Sequence, residues 1–373
     1  MFYVRVLVCL WRPPGRRHPF NDSIKQTYTR VKAQFDGTQV LAPPEAKVFY
    51  EQNGYGRVEK TGNLRLAVVE ALYLIARGKI QIDDWSFDSL LAESAVSPGF
   101  LRKFTVYRDI RERGFVITTG PQDFRVFPRG QRPGHGQSKY LLRVLSERDM
   151  VDLSVVLREA QTAANMRKQF LLAVVDDEHE LTYYEIRITR PAAKEGAVSP
   201  SAETESLPDI SAILAGTPAY VAEDGTGITK TLKDSWYGTM LDATRLFLAP
   251  VEVCWLLESG NLSLTPEMTA EEYEAHAAAY DPEFADKMTV YRYFRGIGWS
   301  PRTGYKYGHH FRVYTEEGKH SEMLVHACGQ EHSMPMSVIS RSVRLAHSVK
   351  KKMLFACMDK ADVTFIEFAR MKL

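Results

Sequence analysis

The chain has 373 residues, of which 45% are hydrophobic and 25% are charged, and its formal net charge at pH 7 is +2. This composition is typical of a globular protein and excludes a fibrous or low-complexity chain, and the length predicts roughly two to four domains. No apolar run approaches the roughly 20 residues that span a bilayer, and the four cysteines form no CxxC pair, so we expect a cytoplasmic protein without a disulfide framework.

The small net charge hides a segregation of charge along the chain. Residues 192–283 hold 4 basic and 16 acidic residues, whereas residues 284–373 hold 15 basic and 8 acidic residues and six of the ten histidines. A basic, histidine-rich segment suits a polyanionic partner, although many proteins carry one basic face. The C-terminal segment is therefore the first candidate for a binding function.

The N-terminal quarter of the chain predicts a leader and a lobe. Residues 1–21 place a short apolar stretch before their arginines, whereas a signal peptide places its positive charges first. They are interpreted as a disordered leader or as the result of a wrongly assigned start codon. Residues 22–100 contain RLAVVEALYLIARG, an amphipathic pattern that ends at a glycine and predicts a helix in an N-terminal lobe.

Residues 101–190 and 284–373 contain two copies of one module. TVYRDIRERGFVITTG, DFRVF and QSKYLLRV in the first copy correspond to TVYRYFRGIGWSPRTG, HFRVY and HSEMLVHA in the second. Each copy predicts a helix ending at glycine, alternating strands, a second helix and two closing strands. Residues 191–215 predict a linker, and residues 216–283 predict a counterpart of the first lobe. The expected fold is α/β (α+β), a tandem duplication of an N-terminal α/β lobe plus a mixed-sheet module.

These motifs resemble those of the archaeal tRNA-splicing (tRNA-intron) endonuclease family, in its two-repeat homodimeric class. The resemblance covers most of residues 22–373 apart from the linker, and it rests on NGYGRVEKTGNLRLAVVEALYLIARG, VYRDIRERGFVITTG, GYKYGHHFRVY, HSEMLVHA and RLAHSVKKKMLFA. It implies a nuclease-like module and an enzyme that cuts precursor tRNA at a bulge-helix-bulge. It also implies 2′,3′-cyclic phosphate and 5′-hydroxyl ends, and no metal or cofactor.

The family's catalytic triad falls on Tyr314, His320 and Lys351 of this chain. Histidine exchanges protons near neutral pH and can protonate the leaving 5′-oxygen, tyrosine is the expected base for the 2′-hydroxyl, and lysine stabilises the charged phosphorane. Because the nucleophile is the 2′-hydroxyl, DNA is not expected to be a substrate. Taken one at a time, the three residues would be interpreted as a packing tyrosine, a solvated histidine and a surface lysine. Strand alternation would turn Lys350 and Lys352 away from the face of Lys351.

The first module departs from this pattern. Phe127 stands where the tyrosine belongs and Gln137 where the histidine belongs, so only Lys168 remains of the triad. A phenyl ring has no proton to exchange, and an amide is not a general acid near neutral pH. The first module is therefore predicted to be catalytically dead, and each chain to carry one active site.

The resemblance also implies roles in binding and assembly. Arg344 is expected to stack on a bulge nucleotide with Arg370 as its partner, the alternative for Arg344 being a helix-surface ion pair. Asp176, Asp177 and Glu178 are expected to dock into a basic pocket of the opposite subunit of a homodimer, the alternative being a solvated β-turn. The strands LTYYEIRI and VTFIEFARM are candidate apolar edges for that dimer.

Two other functions remain open at this point. A non-catalytic RNA-binding subunit of a splicing endonuclease should resemble the first module, in which two of the triad residues are replaced. A metal-dependent nuclease should show clustered carboxylates for Mg²⁺. The segment HACGQEH around Cys328 offers possible metal ligands, but its spacing matches no standard zinc pattern, and a buried thiol beside surface histidines also explains it.

Overall fold

The computed structural model describes residues 30–193, 207–316, 320–329, 333–359 and 362–373. The chain divides into two compact units, one made of residues 1–146, 167–183 and 373, and the other of residues 147–166 and 184–372. The predicted leader, residues 1–21, lies outside the described residues. Within the described ranges, no helix is both long enough and apolar enough to cross a bilayer.

The N-terminal lobe of the first repeat contains a five-stranded sheet. Its strands are β1 (Val31–Phe35), β2 (Gln39–Ala42), β3 (Arg57–Val58), β4 (Leu64–Ala67) and β5 (Ile80–Ile82), and its helices are α1 (Lys47–Asn53), α2 (Val68–Ala76) and α3 (Phe87–Ser94). The strand order is β3-β4-β2-β1-β5, with β1 antiparallel to β2 and parallel to β5.

The buried side chain of Glu70 fixes the start of α2. Its carboxylate accepts hydrogen bonds from the backbone N–H of Ala67 at 2.9 Å and of Gly56 at 3.0 Å. This satisfies an amide at the helix start and ties the helix to the loop after α1. The predicted helix pattern began at Arg65, but Leu64–Ala67 form β4, so the helix begins three residues later.

The first module follows the predicted order of helices and strands. It contains α4 (Phe100–Glu112), β6 (Val116–Thr119), β7 (Phe124–Phe127), β8 (Tyr140–Ser146), β9 (Met150–Asp152), α5 (Leu153–Asn165), β10 (Gln169–Val175) and β11 (Leu181–Thr189). In the first unit β6, β7 and β8 pair antiparallel in turn, and β10 lies parallel to β8. Gly114 follows α4 with φ +84°, as the sequence predicts for a glycine that ends a helix.

The second lobe repeats the first strand for strand. It contains β12 (Ile210–Leu214), β13 (Ala219–Ala222), α6 (Ile228–Asp234), β14 (Thr239–Met240), β15 (Arg245–Leu248), α7 (Pro250–Glu258), β16 (Leu262–Thr265) and α8 (Ala270–Tyr280). The order β14-β15-β13-β12-β16 matches that of the first lobe. The predicted linker, residues 191–215, is shorter at its C-terminal end, because β12 buries Ile210 and Ala212 and pairs with both β13 and β16.

The second module closes the chain. It contains α9 (Phe284–Gly296), β17 (Ser300–Thr303), β18 (Phe311–Tyr314), β19 (Met323–Cys328), β20 (Ser333–Pro335), α10 (Met336–Ser348), β21 (Lys352–Asp359) and β22 (Asp362–Met371). In the second unit its sheet has the order β17-β18-β19-β21-β22-β11, and β20 pairs separately with β9. The predicted fold class, a duplicated α/β lobe and mixed-sheet module, is confirmed.

One prediction about the sheet edges is wrong. VTFIEFARM lies in β22, which has β21 on one side and β11, the strand of LTYYEIRI, on the other. The two apolar strands therefore cover each other within one chain, and β22 offers no free edge to a second subunit. The alternating pattern predicted each strand but could not identify its partner.

Aromatic residues hold the second lobe and the second module in one core. Tyr273 of the lobe and Phe284, Phe294 and Phe365 of the module are all at most 2% exposed and belong to a single apolar cluster. Closely packed protein interiors resist small displacements of their parts. The lobe can therefore position loops beside the module with precision.

Candidate active site

Three strand ends of the second module meet at one edge of its sheet. β18 runs antiparallel to β19, and β19 runs parallel to β21, so the carboxyl end of β18 lies at the same edge as the amino ends of β19 and β21. Tyr314 is the last residue of β18, His320 precedes β19 and Lys351 immediately precedes β21. The topology therefore brings all three residues of the predicted triad to one edge.

Lys351 is anchored beside His320 through the backbone. Its Nζ donates a hydrogen bond to the carbonyl oxygen of Ser321, the buried residue that follows His320. Lys351 is half-buried and His320 is exposed, so the ammonium is fixed while the imidazole faces solvent. This arrangement leaves the histidine accessible to a large substrate.

The three consecutive lysines do not share a strand, contrary to the prediction. Lys350 adopts the left-handed conformation with φ +55° after α10, and β21 begins only at Lys352. Lys350 and Lys352 are exposed, whereas Lys351 is half-buried. The turn at the end of the helix, rather than strand alternation, separates Lys351 from its neighbours.

The first module keeps the lysine anchor without the other two groups. Lys168 Nζ donates to the carbonyl oxygen of Ser138 at 2.7 Å, and Arg167 before it has φ +55°, the value of Lys350. Phe127, at the position of Tyr314, is only 7% exposed and packs into the interior. The lysine therefore has a structural role that does not depend on a neighbouring tyrosine and histidine.

Tyr314 contacts two side chains, one from the loop after α6 and one from its own strand, β18. Its ring centroid lies 5.0 Å from that of Trp236, with the planes inclined at 46°, and the guanidinium carbon of Arg312 lies 5.6 Å from the centre of the tyrosine ring. Sequence reasoning missed Trp236, which belongs to the loop after α6. A signal was available in the sequence, because NGYGR in the first lobe aligns with SWYGT in the second. This alignment makes Trp236 the equivalent of Gly54.

Arg344 and Arg370 are both exposed, the first on α10 and the second near the end of β22. Among the residues that the structure describes, neither arginine forms an ion pair, so the alternative of a helix-surface pair for Arg344 receives no support. Both guanidinium groups are therefore available to an anionic or aromatic partner.

The acidic segment of the first module forms the tight turn between β10 and β11. Asp176 Oδ1 accepts hydrogen bonds from the backbone N–H of Glu178 at 3.0 Å and of Glu180 at 2.9 Å. Asp176 is therefore committed to shaping the turn, as the alternative interpretation predicted. Asp177 and Glu178 are exposed at its tip.

His326, the histidine of the Cys328 motif that the structure describes, is not a surface group, contrary to one prediction. His326 is half-buried and stacks on His310, with 4.3 Å between ring centroids. Burial lowers the pKa of His310, with a smaller contribution from Lys287, and burial raises the pKa of the Cys328 thiol. A thiol that resists ionisation is a poor metal ligand. The remainder of the motif, residues 330–332, lies outside the described residues.

One group of potential metal ligands is found within the described ranges, and it belongs to the second lobe. Cys254, Glu258 and Glu274 bring their ligand atoms within 4.8 Å of one another. Arg292 donates to both carboxylates, at 3.1 Å from Nε to Glu258 and 2.6 Å from Nη2 to Glu274, and therefore supplies the positive charge that a cation would bring. Burial also raises the pKa of the Cys254 thiol to about 12, which disfavours the thiolate.

The chain is a two-repeat α/β protein whose second module has tyrosine, histidine and lysine at the predicted positions, whereas the first has phenylalanine, glutamine and lysine there. The model of the tRNA intron endonuclease catalytic C-terminal domain matches residues 100–183 and 284–365, and that of the N-terminal domain matches residues 31–91 and 216–274. The chain therefore belongs to the tRNA intron endonuclease family, and its activity is that of a tRNA-splicing endonuclease.

Similar proteins extend over nearly the whole chain. The tRNA-splicing endonuclease of Methanococcoides burtonii is 37% identical over 359 residues, covering 92% of this chain and 100% of the relative. That of Methanosarcina acetivorans is 34% identical over 360 residues, with the same coverage. That of Natronomonas pharaonis is 33% identical over 347 residues, covering 88% of this chain and 95% of the relative.

Proposed function

We propose that this protein cleaves precursor tRNA at bulge-helix-bulge splice sites by attack of the 2′-hydroxyl on the adjacent phosphate, leaving 2′,3′-cyclic phosphate and 5′-hydroxyl ends. The observation that carries the proposal is the edge where β18, β19 and β21 meet, which holds Tyr314, His320 and Lys351 together. These three side chains supply every proton transfer and charge that the reaction needs, so no residue outside the second module has to take part in the bond changes.

Each side chain has one task in this mechanism. Tyr314 acts as a phenolate that accepts the proton of the 2′-hydroxyl as the oxygen attacks phosphorus, and His320 acts as an imidazolium that donates a proton to the departing 5′-oxygen. Lys351 stabilises the additional negative charge of the pentavalent intermediate, a role for which its fixed position suits it because no reorganisation is needed as the charge develops. The hydrogen bond from Lys351 to the carbonyl of the residue after His320 keeps the ammonium close to the backbone that carries the general acid.

We expect cleavage to proceed in excess EDTA, because the nucleophile is the RNA's own hydroxyl and needs no metal-bound water. An intron-containing precursor tRNA is incubated with the enzyme in EDTA, and the new 3′ ends are tested for resistance to periodate oxidation, which requires a free 2′,3′-diol. A His320→Ala preparation purified in parallel controls for contaminating nuclease. Activity that is lost on chelation and restored by Mg²⁺ would contradict the proposed chemistry.

Arg344 and Arg370 are the groups we propose to contact the RNA bulge. A planar guanidinium stacks on bases and also bonds phosphate, and both side chains are exposed without a carboxylate partner among the described residues. The surrounding segment, residues 284–373, carries 15 basic and 8 acidic residues, which favours association with a polyanion.

We propose that the enzyme is a homodimer with two equivalent sites, because intron removal takes two cuts and each chain carries one complete triad. The turn between β10 and β11 is the proposed contact, with Asp177 and Glu178 at its tip facing a basic pocket of the partner. Since an isologous interface repeats each contact, the turn would dock twice.

We expect light scattering to give about twice the chain mass of 42.4 kDa, and Asp177→Lys with Glu178→Lys to shift the enzyme toward the monomer and lower its activity. Asp176 is left intact in this variant because its carboxylate holds the turn. Asp88→Lys with Glu93→Lys, on α3, is the matched charge-reversal control. A wild-type monomer that makes both cuts at nanomolar concentration would contradict the dimer.

A further inference from the structure

We propose that Trp236 is a positioning residue that holds Tyr314 for its role in RNA cleavage. The loop after α6 would then complete the active site of the module that follows it. This inference rests on the function proposed above, since it concerns the residue assigned there as the base. It adds a side chain from the second lobe to a site that is otherwise built from the second module.

Trp236 has an unusual backbone conformation for its side chain. Its φ is +63°, in the left-handed region, where the Cβ of a bulky residue crowds the following carbonyl oxygen. Strained residues of this kind persist only where the surrounding structure fixes them, and they concentrate at functional sites. A glycine would adopt this conformation without strain, so the presence of tryptophan requires a reason in its side chain.

Two arginines fix the backbone of Trp236. Its carbonyl oxygen accepts hydrogen bonds from Arg295 Nη2 and from Arg302 Nη1, each at 3.0 Å. Arg295 is only 4% exposed, and Arg302 also pairs with the buried Glu252 at 3.0 Å. Glu252 in turn accepts from the backbone N–H of Gly238 at 3.1 Å. The backbone of the loop is therefore anchored at Trp236 and at Gly238.

The first repeat provides an internal comparison, because Gly54 occupies the position of Trp236 with φ +66°. A Cβ atom built on Gly54 would lie 2.9 Å from a side-chain atom of Val116 and 2.9 Å from one of Pro133. The first repeat therefore has no room for a side chain there. In the second repeat the corresponding space admits an indole ring.

Three positions differ together between the repeats. The repeat with Tyr314 has tryptophan in the loop and Arg302 on β17, whereas the repeat with Phe127 has glycine in the loop and Thr118 at the position of Arg302, as the strand registers show. The tryptophan and one of the arginines that hold it therefore accompany the tyrosine. A purely structural role in linking lobe to module would be needed equally in both repeats.

The contact explains how the tyrosine could be kept in place. Its ring lies against the indole at 5.0 Å between centroids and near the Arg312 guanidinium at 5.6 Å, so rotation of the phenol is restricted. A general base must keep its oxygen within hydrogen-bond reach of the 2′-hydroxyl. A misplacement of about 1 Å costs roughly a hundredfold in rate.

The test compares the full-length enzyme with the variants Trp236→Gly, Trp236→Phe, Tyr314→Phe and the double variant Trp236→Gly/Tyr314→Phe. Single-turnover cleavage of precursor tRNA is measured at saturating enzyme, and RNA affinity separately. We expect Trp236→Gly to slow cleavage at least about tenfold with unchanged affinity, since only positioning is lost. Trp236→Phe should recover most of the rate. In the Tyr314→Phe background, Trp236→Gly should have no further effect.

Three outcomes would overturn the inference, and they are distinguishable. An equal loss from Trp236→Gly in both backgrounds would show that the tryptophan acts independently of the tyrosine. Weakened RNA binding at an unchanged saturating rate would assign the indole to stacking on RNA. A wild-type rate for Tyr314→Phe would overturn the role proposed for Tyr314 itself. Thermal unfolding of Trp236→Gly, whose new residue suits the left-handed backbone, establishes that the variant is folded.

Discussion

Replacing His320 with alanine is expected to reduce the single-turnover rate of precursor tRNA cleavage by at least about a hundredfold, because positioned proton transfer contributes roughly 10²–10⁴ in rate. RNA binding should be nearly unchanged, since the side chain is exposed and its loss leaves the anchor of Lys351 on the backbone of Ser321 intact. The measurement is cleavage at saturating enzyme together with a separate binding titration.

The matched control for this prediction is Gln137→Ala in the first module, which should leave the cleavage rate close to that of the wild type. Both variants remove a polar side chain that lies shortly before an equivalent strand, β8 or β19. If the two substitutions cost the same, the division into an active and a dead module is wrong. Full activity in His320→Ala would instead show that cleavage depends on another site of the chain or on another subunit.

The second large effect is expected for Lys351→Met, which should slow cleavage by about 10²–10³ through loss of the charge beside the phosphorane. The same substitution also removes the hydrogen bond to the carbonyl of Ser321, so some loss of stability is expected, on the order of 0.5–1.5 kcal/mol. Rate and stability must therefore be measured on the same preparations, by single-turnover cleavage and by chemical unfolding.

Lys168→Met separates these two effects, because Lys168 makes the equivalent hydrogen bond to Ser138 in the first module. We expect a similar loss of stability and a cleavage rate close to the wild type. Lys351→Arg is the second comparison, since it keeps the charge but changes the geometry of the anchor. A loss of activity in Lys168→Met equal to that in Lys351→Met would show that the lysines act only through folding.

Much of the fold follows from local patterns in the sequence. The glycine after α4 and the alternating residues of β18 predicted those elements because their conformations depend on neighbouring residues. The end of the linker was missed because the turn-rich composition of residues 191–215 gave no sign that Ile210–Leu214 would pair with two strands from elsewhere. The same limit applies to β22, whose partners are set by tertiary packing rather than by its own pattern.

Some residues of the candidate site could likewise be predicted from the sequence, and others could not. Tyr314, His320 and Lys351 could be located in the sequence because their motifs occur in a fixed order along one module. Trp236 belongs to another lobe, and its contact with Tyr314 depends on the packing of two distant segments. The strand interpretation of the three lysines failed at Lys350, because a left-handed residue after a helix gives no periodic signal in the sequence.

The lysine that both modules retain indicates how a catalytic site can decay without loss of its fold. Lys168 and Lys351 each donate a hydrogen bond to the carbonyl of a serine at the corresponding strand ends of their own modules, so each lysine supports the backbone as well as any reaction. Within the described residues, the histidine position makes no comparable bond, and the tyrosine position of the first module accepts a phenyl ring that packs inside the module. Under the proposed assignment of one active and one inactive module, the inactive copy is free to exchange its proton donors, whereas selection for folding alone keeps the lysine. An isolated catalytic lysine in such a module is thus a weak sign of activity.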